Sequence, residues 1–66
     1  MEKGIVRSFD KNCGMGTIGR PEDVDVRFYA ESIVGRDRAG LKQGDSVWFD
    51  LGNIKNLHIA LNVRKI

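Results

Sequence analysis

GIVRSFDKNCGMGTIG, residues Gly4–Gly19, reads as two strands folded around a tight turn. Ile5, Val6 and Phe9 give the first half the β-branched and aromatic character of a strand. Asp10–Gly14, DKNCG, supplies the turn chemistry. The second half, MGTIG, is weaker by propensity, and its glycines mark a place where another backbone or a ligand comes close.

Further along, DVDVRF alternates Val24 and Val26 against Asp25 and Arg27. DSVWFDL sets Val47, Phe49 and Leu51 on one face and Ser46, Trp48 and Asp50 on the other. LHIALNVRKI sets Leu57, Ile59, Leu61 and Val63 together. This period of two is what half-buried antiparallel strands require. RPED and GNIKN suit short connections, whereas Ala30–Gly44 is long, with one helical turn at AESI and then a glycine- and charge-rich loop. Five short strands predict an all-β fold, a small closed antiparallel barrel, because closure removes exposed edges.

Sixty-six residues make a single domain, 1–66, which buries only about 60% of its unfolded surface and depends on using its apolar residues well. The 41% hydrophobic and 30% charged shares fit a globular chain. Eleven basic against nine acidic residues permit a polyanionic partner without demanding one. Cys13 has no disulfide partner and, with His58 alone, no zinc site; no cofactor is implied. MEKGIVRSFD lacks a signal-peptide core and no run is long enough for a membrane span, so the expectation is a cytoplasmic protein without membrane contact. No nucleophile–base set is recognisable, which argues against an enzyme. Gly14 and Gly16 read as close strand packing rather than a phosphate loop, since no helix signal follows.

The motifs together resemble the bacterial cold-shock proteins over nearly the whole chain. GIVRSFD is similar to the family's Gly-x-Val-Lys-Trp-Phe-Asn, with Gly4, Val6 and Phe9 in place. CGMGTI resembles the first ribonucleoprotein motif, Lys-Gly-aromatic-Gly-Phe-Ile, and DVDVRF the second, Asp-Val-Phe-Val-His-Phe. LKQGDSVWFDL and ALNVRKI match the family's fourth strand and ending. The resemblance implies a five-stranded barrel of the oligonucleotide/oligosaccharide-binding (OB) type, a cold-shock domain that binds single-stranded RNA or DNA. Its inward set would be Val6, Ile18, Val24 and Val26, and its outward set the positions where the family carries aromatics.

Those outward positions have changed. Ser8 stands for the family's Trp, Met15 and Thr17 for the two rings of the first motif, Asp25 for the first Phe of the second and Arg27 for its His. Phe28 is expected to be the surviving ring. Arg36 and Arg38 replace an aromatic in the long loop, and Leu57 and His58 replace a Gly-Pro pair in the last hairpin. With Arg7, Lys11 and Lys55, these residues form the expected binding surface. Each base–aromatic stack contributes about 1–3 kcal/mol, so losing four predicts weak, mainly electrostatic binding at about 10 micromolar or weaker. The alternative is a protein-interaction or regulatory module on the same barrel. Trp48 alternates outward, and with Ile5 and Ile66 it would be the surface for a protein partner or for self-association.

Overall fold

Alternation holds from the first strand, where Gly4 and Val6 turn inward and Lys3, Ile5 and Arg7 outward. A computed structural model covering residues 1–66 places this strand, β1, at Glu2–Asp10. It is followed by β2 (Met15–Gly19), β3 (Val26–Tyr29), β4 (Ser46–Ile54) and β5 (Leu57–Lys65). The strands close into one barrel in the order β1-β2-β3-β5-β4. The all-β closed barrel is of the OB type.

One seam departs from the expected antiparallel arrangement: β3 and β5 run parallel, meeting at Arg27 and Ile59. Geometry requires it. In a closed ring of five strands directions cannot alternate all the way round, so one neighbouring pair must point the same way. The connection from Ala30 to Asp45 carries the chain across the barrel end, with 3-10 turns at Ala30–Ser32 and Gly35–Asp37. It is fastened to the end of β5 by Val34 N–H donating to Val63 O at 2.7 Å and Lys65 N–H donating to Asp37 Oδ2 at 2.9 Å.

Val6, Ile18, Val26, Phe28, Val47, Phe49, Ala60 and Val63 fill the barrel from the strands, and Ile33 and Leu41 come in from the connection. Each of these side chains except the small Ala60 contributes about 1.5–3 kcal/mol by leaving water. Four inward assignments from the alternation need correction. Val24 is 67% exposed, because pairing of β3 begins only at Val26. Arg20 causes this: its Nε donates to the Val24 carbonyl at 2.9 Å and its guanidinium meets Glu2 and Asp23, holding Pro21–Asp25 outside the barrel. Leu57 and Leu61 are also exposed. Asn62, at φ 53, forms a bulge opposite Phe49 and resets the alternation, so Ala60 rather than Leu61 enters the core. Leu51 lies beyond Glu2, where β4 has lost its β1 partner, and is 38% exposed. No helix is long and apolar enough to cross a membrane.

Candidate nucleic-acid interface

The outward face of β1–β3 is built from two cross-strand rows. Ser8, Thr17 and Arg27 lie directly opposite one another, and Asp10, Met15 and Tyr29 form the adjacent row. A bulge at Arg7 turns both Arg7 and Ser8 outward and returns Phe9 to the interior. Between the rows Gly16 and Phe28 face inward; a Cβ on Gly16 would fall 2.7 Å from the Phe28 ring, so only glycine lets β2 lie this close.

Phe28 is therefore a core residue, with no exposed surface and its ring centroid 5.3 Å from that of Phe9. This corrects its expected place as the surviving binding ring. The aromatic on the outward face is Tyr29, half-buried opposite Met15. The signal for it was in the sequence. Counting from Val26 inward gives Arg27 out, Phe28 in and Tyr29 out.

Several expected contact groups already hold one another. Arg7 Nε lies 3.0 Å from Asp25 Oδ1 and 2.9 Å from Oδ2. The arginine runs flat over Gly19, where a Cβ would sit 2.8 Å from the guanidinium carbon. The Ser8 and Thr17 hydroxyls are hydrogen-bonded at 3.1 Å. Lys11 Nζ donates to the Ala39 carbonyl at 3.1 Å, tying the β1–β2 turn to the long connection. In that turn Asp10 accepts the Asn12 and Cys13 amides and the Cys13 thiol. The thiol bond is the main cause holding the Asp10 carboxyl below the usual carboxylate range; the same bond and the Asp10 charge push the Cys13 thiol up.

Other cations are unpaired. Arg27, Arg36, Arg38 and Lys55 are exposed and make no ion pair. Strand directions place Lys11, Arg36 and Arg38 at one end of the barrel, and Lys55 and His58 at the other with Asp25. Ser8, Met15, Thr17, Arg27 and Tyr29 lie between. At the second end, β3 and the β4–β5 hairpin enclose a cleft of ≈ 450 Å³. Arg27, Tyr29, His58, Asp25 and Asn56 supply its polar groups, and Val24, Ile54, Leu57 and Ile59 its apolar walls. That volume lies within the ~300–1,000 Å³ of small-molecule sites. Apolar walls beside a phenol, an imidazole and a free guanidinium suit a planar group carrying negative charge nearby.

No three His, Cys, Asp or Glu side chains cluster to hold a metal ion. No protein-family model matches this chain, and no curated protein matches it.

Proposed function

We propose that the protein is a cold-shock-like domain that binds single-stranded nucleic acid weakly and mainly through charge. The observation that carries this reading is the cleft beside β3, where unpaired Arg27 and Tyr29 stand on the outward face and His58 lines the opposite wall. A base would lie against Tyr29 and the apolar walls, with phosphates on Arg27 and Lys55, and the strand would run along β3 towards Lys11, Arg36 and Arg38. One ring in place of a row supports affinity in the range of about 10 micromolar or weaker.

A protein-interaction module is the second reading, and the Arg7–Asp25 and Ser8–Thr17 pairs favour it, since they satisfy groups that a nucleic acid would use. An amide-shift titration with short pyrimidine-rich DNA and RNA separates the two. Saturable shifts at Arg27, Tyr29 and His58 are expected; an unchanged spectrum at millimolar oligonucleotide would overturn the nucleic-acid reading.

A further inference from the structure

On the flank of the barrel away from this cleft, β4 presents Trp48 between two cations. Lys3 of β1 and Arg64 of β5 are its direct cross-strand neighbours, so all three side chains share the outer face. Lys3 and Arg64 are exposed, and neither makes an ion pair. Trp48 keeps 38% of its surface open. In the next row Ile5 lies opposite Ser46, and Ile66 N–H donates to Ser46 O at 3.0 Å. The isoleucines are thus diagonal to the indole, and its immediate neighbours are charged.

That arrangement selects among occupants. A second copy docked about a two-fold axis would bring Lys3 and Arg64 towards their own counterparts, and like charges repel. A neutral partner would bury both cations unpaired, which is costly. What fits is a flat group with negative charge on both sides of it, as a base has between successive phosphates. Stacking on indole needs only an open ring face.

The face is also continuous with the first. Lys3, Ile5 and Arg7 project outward along β1, and Arg7 adjoins the Ser8–Thr17–Arg27 row. Lys3, Arg7 and Arg20 line a cleft of ≈ 550 Å³ between β1, β2 and β4, leading from the Trp48 row to that point. From Lys3 to Arg7 is about 13 Å along a strand.

We infer that Trp48, Lys3 and Arg64 form a second single-strand contact, in which a base stacks on Trp48 and its flanking phosphates lie on Lys3 and Arg64. The choice of occupant rests on the nucleic-acid reading above, and the test keeps the two apart. Oligothymidylate of about twelve nucleotides, within the usual ~4–16-nucleotide site of such a barrel, is titrated while Trp48 emission and amide shifts are both followed. Saturable quenching of Trp48 is expected, weakening steeply as salt rises. Lys3→Gln with Arg64→Gln should weaken the quenching by about tenfold. Trp48→Phe should keep the ligand-induced amide shifts at Lys3 and Arg64, and Trp48→Leu should lose them. Unchanged emission while Arg27 and Tyr29 shift to saturation would overturn the second contact and leave the proposed function standing. No response from either face would overturn both. Quenching by oligoglutamate as strong as by oligothymidylate would show that charge alone is read, and would assign the face to an acidic protein instead.

Discussion

Arg7 reaches across β2 to Asp25, eighteen residues along the chain, and holds both carboxylate oxygens within 3.0 Å of its Nε. The pair removes one cation from the candidate binding surface and leaves one carboxylate on it. Both side chains are largely exposed, so the pair adds at most about 1 kcal/mol to stability.

Asp25→Asn should therefore improve binding without harming the fold. It frees Arg7 and removes a repelling charge, which predicts about three- to tenfold tighter oligonucleotide binding at low salt. Since an added phosphate contact steepens the salt dependence by about 0.7 for single strands, titrations at several ionic strengths provide the check. Unaltered affinity and slope would mean that Arg7 takes no phosphate even when free.

Ser8→Trp with Thr17→Phe should rebuild part of a stacking surface. The two positions are directly opposed on the outward face, and Thr17 also faces Arg27, next to Tyr29. Two rings at about 1 kcal/mol or more each predict a gain of at least about 30-fold. Amide dispersion establishes folding before affinity is compared. A folded variant that binds no more tightly would show that this face does not meet the bases.

Phe28 and Tyr29 are neighbours with opposite expected roles. Phe28→Ala should cost about 3–5 kcal/mol, enough to unfold much of a barrel this small. Tyr29→Ala should cost far less in a urea melt but lose most shifts at the cleft. Equal stability losses in the two variants would contradict the inward and outward assignment.

Asp45 anchors the start of β4, accepting the Lys42 amide at 2.9 Å with Lys42 Nζ at 3.3 Å and Lys65 Nζ at 3.7 Å. The Lys42 amide bond is the leading cause that lowers its carboxyl below the ordinary value, with the Lys42 and Lys65 charges adding to it and partial burial opposing. A carboxyl lowered by folding stabilises above its unfolded pKa of about 3.9, and that contribution is lost as pH falls through the lower folded value. Asp45→Asn should reduce stability at neutral pH and flatten its decline in acid. Parallel pH–stability curves for the two proteins would contradict this.

The strands and most of the barrel interior were legible because Val6, Ile18, Val26, Val47, Phe49 and Val63 obey a period of two. Misreadings fell where that period breaks. The left-handed Asn62 swaps Leu61 for Ala60, and Arg20 holds Val24 outside pairing. Ile33 and Leu41 carried no core signal, since they sit in a connection where no alternation distinguishes inside from outside. At the candidate site, Arg27 and His58 were legible as exposed polar residues of the right strands. The Arg7–Asp25 and Ser8–Thr17 pairs were not, because each joins residues that only the barrel brings together.

The parallel seam has a kinetic consequence. β3 and β5 meet through a single register pair, Arg27 and Ile59, whereas β4 and β5 pair along almost their full lengths. Joining this seam closes the loop from Ala30 to Asn56, the long connection together with β4, which places it late in folding and early in local opening. The cleft lies across that same seam, so an occupant bridging Tyr29 and His58 would act as a clasp on the ring. Hydrogen exchange should find the amides of β3 and Leu57–Ala60 less protected than those of β1 and β4, and a bound oligonucleotide should slow exchange there most.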